Sequence, residues 1–487
     1  MITLRKIDDV FLGFDGPKDE LRMLSDYFTF LVPGYQFMPA YRNKYWDGKL
    51  RLADLKKNEI LAGLFADITK FSKDMDVNVQ FEGSKYDMPG REQPVEDSFL
   101  EGFLEVLNPH SKGQPIQMRD YQVEAFKSAV RKQRCLLLSP TASGKSLIIY
   151  SLIRWWMQTH ERKILIVVPT IGLVSQMAND FSDYSNGKFT DVHQISAGVP
   201  KETNCRVVVS TWQSIHKQPY MWFAQFGSVV VDEVHHAQSK SIQAIMSKML
   251  VCPDRIGLTG TLQEAKTHEL VLKGLFGPVH KIITTKELMD RGQVEQMQVR
   301  IVQMKHSAED AKLVSKMNYN EEIEFLVNNQ KRQEMIAKMA STLPGNTLVV
   351  FLRIEHGKDL FDKIDTEKEK YYVAGETDRD TREMVRNLAE SNDCVIVASL
   401  GVFSTGVNIR NLHNLIFAHP TKSKIKVLQS VGRILRKSDD GRPATVFDLV
   451  DDLKHGQRDN FALRHAAERF KFYTNEKFDF KINSIEL

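Results

Sequence analysis

From about Arg134 onward, short apolar and β-branched runs alternate with longer amphipathic stretches. CLLLS, KILIVVP, CRVVVS, SVVVDE and RIGLTG are apolar throughout instead of alternating in and out, which predicts parallel strands buried on both faces. Helical patterns such as SLIIYSLIRWWMQTH lie between them. A second series follows, NTLVVFL, KYYVAG, DCVIVAS, NLIFAHP and ATVFDLV, spaced by helix-like RDTREMVRNLAES and KIKVLQSVGRILRK. The chain therefore reads as two α/β units. The charged stretch between them, roughly Thr285 to Leu343 with NYNEEIEFLVNNQKRQEM, predicts a helical connection. Residues 1 to 95 have another texture: strand-like DVFLGF, KLRLADL and DVNVQFEG, and a loop-rich PGYQFMPAYRNKYWDGK. SKYDMPGREQPVEDS then reads as a polar linker. There is no internal sequence repeat and no low-complexity tract.

Length adds a domain count, since 487 residues suit roughly three domains. With 42% hydrophobic and 26% charged residues the chain reads as soluble and globular, and no apolar run approaches the about 18 residues of a membrane span. MITLRKIDDVF carries charges where a signal peptide has its apolar segment, so a cytoplasmic or nucleoid-associated protein is expected, neither secreted nor a membrane partner. Cys135, Cys205, Cys252 and Cys394 lack the spacing of a zinc or redox motif and read as reduced, mostly buried side chains. A net charge of +4 permits a polyanionic partner without requiring one.

The chemistry begins at SPTASGKS, Ser139 to Ser146. In a phosphate-binding loop, successive backbone N–H groups and the start of a helix cradle phosphates, the Lys reaches the β and γ phosphates, and the next hydroxyl binds magnesium. Lys145 and Ser146 match those roles, with Thr141, Ala142, Ser143 and Gly144 forming the cradle. Ser139 stands where the motif has glycine, and Pro140 and Gly144 permit the curl. A lone GKS also arises by chance in strand-to-helix turns. VVVDEVHH, Val229 to His236, changes that balance by placing two acids at a strand end of the same unit. Asp232 can hold magnesium through water, and Glu233 can orient or deprotonate the water that attacks the γ-phosphate. ATP and Mg2+ are the expected ligands.

SPTASGKS, VDEVHH, LTGT at Leu258 to Thr261 and QSVGRILR at Gln429 to Arg436 together resemble the superfamily-two helicases of the DExH type, over about Gln117 to Val450. The resemblance implies two tandem RecA-like domains, 96–285 for ATP binding and 286–455 as the second motor domain. A small α+β domain at 1–95 would precede them, and a C-terminal extension at 456–487 would pack on the motor. It also implies residue roles. Arg119 and Gln122 in MRDYQ would read adenine. Arg433 and Arg436 would be the arginine fingers, with Gln429 and His235 sensing the γ-phosphate. His235, Thr259 and Thr261 would couple ATP to strand binding. Backbone phosphates of a nucleic acid would meet Pro169, Thr170, Thr211, Gln213, Arg353, Gly375, Thr405, Gly406 and Thr421. Two departures stand out: Ser139 for glycine, which is common among these helicases, and Thr-Gly-Thr where the family more often has Ser-Ala-Thr or Thr-Ala-Thr.

The motor motifs do not identify the substrate. In Tyr35 to Glu59, cations (Arg42, Lys44, Lys49, Arg51, Lys56, Lys57) interleave with Tyr41, Tyr45 and Trp46, a mix suited to phosphate contact plus base stacking, with Lys44 and Trp46 as the chosen candidates. Residues 1 to 100 hold fourteen Lys and Arg against seventeen Asp and Glu, so aromatics packed in the domain's own core under a cationic rim are an equal reading. The tail's FKFY and FDFK fit edge strands or helix packing, and IQAIMSKML reads as core. As a whole the chain is similar to the phage recombination and repair helicases of this superfamily. That resemblance implies remodelling of branched DNA: junction branch migration, fork regression, and unwinding of R-loops and D-loops, RNA being met in the former, with 3′-to-5′ polarity and a monomeric motor. An RNA-directed DExH ATPase or duplex translocase would keep every motor motif and stays open. A non-enzymatic ATP-dependent clamp would need a damaged catalytic set, which Lys145, Asp232, Glu233, Arg433 and Arg436 do not show.

Overall fold

A computed structural model describes residues 1–84, 87–90, 92–196, 198–235, 240–260, 266–294, 296–405, 411–420 and 443–487. The chain divides into two compact units, Met1–Ser139 with Ser143–Ile283, and Thr284–Leu487 with Pro140–Ala142.

The first unit opens with a mixed five-stranded sheet of β1 (Ile2–Lys6), β2 (Phe11–Asp15), β5 (Ala53–Asp54), β6 (Glu59–Leu61) and β7 (Val79–Glu82), in the order β5-β6-β2-β1-β7. The hairpin β3 (Thr29–Leu31) and β4 (Lys49–Arg51) brackets the aromatic loop, and a second short hairpin, β8 (His110–Ser111) and β9 (Gln114–Pro115), follows the small domain in the chain. Strand β1 was not anticipated, because ITLRK is a short alternating run that only pairing with β2 and β7 makes a strand. This small sheet packs on the helix Lys266–Phe276, whose Leu270 joins the small domain's core and whose Lys273 reaches Asp67 at 3.5 Å. A Cβ at Gly63 would run into the backbone of that helix, so the close approach requires glycine.

The same unit then forms a seven-stranded parallel sheet: β10 (Arg134–Leu138), β11 (Lys163–Val168), β12 (Val192–Ile195), β13 (Val207–Thr211), β14 (Phe226–Val231), β15 (Asp254–Thr259) and β16 (Val279–Lys281). Their order is β12-β13-β11-β14-β15-β10-β16. Alternate side chains feed two cores, with Leu165 and Val167 on one face and Ile164, Ile166 and Val168 on the other, which is why these strands read as unbroken apolar runs. The Met-rich helix Lys240–Ser247 contributes the buried Met246 and is core, as read. Cys135, Cys252 and Cys394 are buried and Cys205 half-buried, all free thiols.

The second unit repeats the plan with β17 (Met297–Lys305), β18 (Asn346–Phe351), β19 (Glu369–Val373), β20 (Cys394–Ser399), β21 (Leu412–Phe417), β22 (Ala444–Asp452) and β23 (Phe480–Glu486), all parallel, in the order β19-β20-β18-β21-β22-β17-β23. The fold is therefore α/β with two parallel sheets flanked by helices, matching tandem RecA-like domains, behind a smaller mixed sheet. The stretch from Thr285 to Leu343 is helical in Thr285–Asp290, Ala308–Val314, Tyr319–Asn328 and Gln330–Thr342, as expected, but it also holds β17, a nine-residue strand whose Met297, Val299 and Ile301 face inward and alternate with Gln298 and Arg300. In the tail, FKFY lies in the helix Phe461–Asn475 and FDFK leads into edge strand β23. Among the described residues no helix is long and apolar enough to cross a membrane.

Candidate functional site

Six residues, Ser139 to Gly144, join β10 to the helix Lys145–Thr159. The loop curls through two left-handed positions, Ala142 at φ 66° and Gly144 at φ 78°. A side chain at Gly144 would be strained in torsion, and its Cβ would displace Gln122 Nε2 from its place behind the loop. The unusual Ser139 has a local purpose: its buried hydroxyl shares a 2.6 Å hydrogen bond with that of Ser143 across the loop. From behind, Gln122 Nε2 and Tyr121 Oη donate to the Ser143 carbonyl at 2.9 and 3.0 Å, and Arg119 donates to Tyr121 Oη at 2.8 Å. Gln122 Oε1 also accepts from the Arg119 backbone at 2.9 Å. The Gln122 amide thus braces the loop with its nitrogen and caps its own helix, Asp120–Lys132, with its oxygen.

Strand β14 delivers the acids. Glu233 lies at φ 52°, an uncommon torsion for a side chain with a Cβ and one that clusters at functional sites. Lys145 Nζ donates to Glu233 at 2.8 Å and stands 4.0 Å from Asp232. Burial pushes the Asp232 carboxyl up to about 6 against the pull of Lys145. Burial also pushes Glu233 upward, but the Lys145 ammonium and the His235 ring outweigh it and hold that carboxyl well below the usual range. His235 Nδ1 lies 3.3 Å from Glu233 and 3.0 Å from the Thr259 hydroxyl. Glu233, His235 and Thr259 thus form a continuous chain from the acid strand to the end of β15. Ser146 Oγ and Tyr184 Oη share a hydrogen bond of 2.8 Å.

The strand-contact candidates occupy the same carboxyl edge of the sheet, farther along it. Pro169 and Thr170 follow β11, and Thr211 ends its neighbour β13, where Val168 pairs with Thr211. Thr170 caps the helix Ile171–Tyr184, accepting from the Leu173 N–H at 3.4 Å. The Thr211 hydroxyl is buried against Ser214 at 2.9 Å, while Gln213 is exposed. In the second unit Arg353 and Gly375 are exposed beyond β18 and β19, and Thr405 ends the helix Leu400–Thr405 after β20. Thr261, Gly406, Thr421, Gln429, Arg433 and Arg436 lie outside the described residues.

In the small domain, Tyr45 and Phe37 are 86% and 74% exposed, and Tyr41 and Lys44 also face solvent. Trp46 is half-buried, its indole donating to the Lys49 carbonyl at 2.8 Å. Tyr41, Tyr45 and Trp46 stay outside the domain's core, which is built from Phe14, Phe28, Phe71 and aliphatic neighbours. Sequence reasoning missed Tyr121 and Tyr184. The first sits inside the quoted MRDYQ, whereas nothing local marks the second.

Three family descriptions match along the chain: DNA helicase UvsW, N-terminal, over residues 8–82; type III restriction enzyme, res subunit, over 115–264; and helicase conserved C-terminal domain over 328–438. The ATP-dependent DNA helicase uvsW of Enterobacteria phage T4 is 38% identical over 485 residues, 95% of this chain and 95% of that protein. The DNA 3′-5′ translocase XPB2 of Sulfurisphaera tokodaii is 23% identical over 373 residues, 69% of this chain and 82% of its own. The crystal structure of T4 UvsW aligns over 100% of this chain and 99% of that one, with 33% identity and a TM-score of 0.54. At that identity and coverage, this chain belongs to the UvsW family of DNA helicases.

Proposed function

We propose that this protein couples ATP hydrolysis to the remodelling of branched DNA, by junction branch migration, fork regression and the unwinding of R-loops and D-loops, with 3′-to-5′ polarity and in the cytoplasm. That it is an ATP-hydrolysing DNA helicase follows from its family. The observation that carries the site assignment is the Lys145–Glu233–His235–Thr259 chain at one edge of the first parallel sheet.

In this reading Lys145 exchanges its bond to Glu233 for the β and γ phosphates, and Glu233, released, orients the attacking water. The departure of Lys145 removes the largest influence that holds the Glu233 carboxyl low, so the acid gains basicity as the nucleotide seats. Ser146 and Asp232 offer a hydroxyl and a carboxylate, hard oxygen donors of the kind Mg2+ takes, so these residues fit the metal. The metal, when bound, supplies neutralisation of phosphate charge. His235 and Thr259 transmit the state of the acid to the end of β15. Arg433 and Arg436 are assigned to transition-state charge, with Gln429 and Thr261 as coupling groups. Arg119 and Gln122 are assigned to the base, which requires Gln122 to release either its bond to the Ser143 carbonyl or its helix cap on the Arg119 N–H. Thr170, Gln213, Arg353, Gly375 and Thr405 are assigned to backbone phosphates. The four-part division at 95, 285 and 455 is retained as a proposal.

Support for DNA as the partner comes from the family, and support for a contact outside the motor from the exposed loop. Phe37, Tyr41 and Tyr45 beside Arg42 and Lys44 form a stacking and phosphate-binding surface that the core does not use. The test is steady-state ATPase at fixed salt with a four-way junction, single-stranded DNA, duplex DNA and RNA as separate effectors. Stronger stimulation by the junction is expected, and Lys44→Ala with Trp46→Ala should weaken junction binding about tenfold without changing ATPase measured in the absence of DNA. Preferential stimulation by RNA would select the RNA-directed reading instead.

A further inference from the structure

The hydroxyl assigned to magnesium already has a protein partner. Ser146 is the second residue of the helix Lys145–Thr159, and its Oγ shares a 2.8 Å hydrogen bond with Tyr184 Oη. Tyr184 is the last residue of the helix Ile171–Tyr184, and 38 residues separate the two in sequence. The phenol is held in place from several sides. Its ring packs on Tyr150 at 5.6 Å, and Tyr150 packs in turn on Phe181 and Phe189 at 5.9 and 6.0 Å. Arg154 donates to Tyr150 Oη at 2.8 Å, so Ser146, Tyr150 and Arg154 line one face of the phosphate-loop helix at four-residue spacing.

A serine Oγ turns about one torsion with three staggered positions. Where Oγ must turn from Tyr184 to bring a lone pair to the metal, the metal wins that position by breaking a hydrogen bond. We propose that Tyr184 is a positioning residue that holds the Ser146 hydroxyl against the helix Ile171–Tyr184 and thereby sets how much Mg2+ nucleotide binding requires. The proposal rests on Ser146 being a magnesium ligand. The same helix starts directly after Thr170, its N-cap and an assigned strand contact, and its 14 residues span about 21 Å. One rigid element thus has its first end beside the assigned DNA contact and its last on the metal-directed hydroxyl.

The experiment measures binding of a fluorescent ADP analogue to the full-length protein without DNA, in EDTA and across a Mg2+ titration, for the wild type, Tyr184→Phe and Ser146→Ala. Tyr184→Phe keeps the ring that packs on Tyr150 and removes only the hydroxyl. Its half-saturating Mg2+ concentration should fall about threefold to tenfold, the range of one hydrogen bond, with affinity in EDTA unchanged. Ser146→Ala should lose the enhancement by Mg2+. If Tyr184→Phe needs as much Mg2+ as wild type, or more, while Ser146→Ala loses the enhancement, the holding role of Tyr184 is overturned and the metal assignment survives. If Ser146→Ala keeps the full enhancement, the metal assignment itself fails and the proposal fails with it.

Discussion

The two seven-stranded sheets have one topology and different chemistry. Numbered within each sheet in chain order, both run 3-4-2-5-6-1-7, with no sequence repeat to announce it. At the end of the first strand, β10 enters a six-residue phosphate loop, whereas β17 passes through His306 and Ser307 directly into the helix Ala308–Val314. At the end of the fifth, β14 leads to Asp232 and Glu233, whereas β21 leads to Ala418 and His419. At the end of the sixth, β15 finishes on Thr259, joined to His235, whereas β22 finishes on Asp451 and Asp452. Asp451 is wholly buried, 2.8 Å from Arg332 Nε and 3.0 Å from His306 Nε2. Burial pushes its carboxyl up, but Arg332 and His306 outweigh that and hold it low. Lys145, Asp232 and Glu233 keep 12%, 11% and 19% of their side-chain surface, against 0% for Arg332 and Asp451. The shared sheet thus supports one charge cluster that keeps some exposed surface and another that is closed to solvent.

That contrast can be broken by substitution. The largest effect belongs to Glu233→Gln, which should cut ATP turnover by about 10²- to 10⁴-fold while melting behaviour stays near wild type. Turnover within tenfold of wild type would remove Glu233 from the chemistry. Asp451→Asn is the opposite case. It leaves Arg332 buried without its counter-charge, so a urea melt should show the second unit weakened by about 3–5 kcal/mol, with nucleotide affinity of the still-folded protein unchanged. An unchanged melt would mean that the second cluster is not structural.

The smallest effect lies at the opposite edge of the sheets, where β15 begins at Asp254 and its counterpart β22 begins at Ala444. Burial pushes Asp254 up to about 7, with Ser228 and Gln133 donating to it. The folded state therefore holds this proton more tightly than the unfolded chain. Its contribution to stability is present below about pH 4 and is lost as pH rises through about 7. Asp254→Asn should raise the melting temperature by roughly 2–4 °C at pH 8 and leave it nearly unchanged at pH 5. An equal shift at both pH values would show that ionisation is not the cause.

Ten of the fourteen parallel strands were legible as apolar runs, because a strand covered on both faces needs no partner to declare itself. Strand β17 was not, since its inward Met297, Val299 and Ile301 alternate with charged and polar residues and it lies in a stretch rich in helix formers. The phosphate loop and the acid pair were legible too, each being a continuous stretch with a fixed local geometry. Asp451 and Arg332 looked like ordinary charges, 119 residues apart, until the fold closed over both.

By itself the sequence determined what neighbouring residues decide: strand or helix from apolar period, the curl of Ser139 to Gly144, the acids at a strand end, and the family through motifs in order. Tertiary structure alone decided which distant groups meet. Lys145 finds Glu233 across 88 residues, His235 finds Thr259 across 24, and Ser146 finds Tyr184 across 38. The physical reason is that backbone torsion and burial pattern are local properties, whereas hydrogen bonds between strand ends depend on the order in which strands assemble. That order is set by the packing of whole faces, which no short stretch of residues encodes.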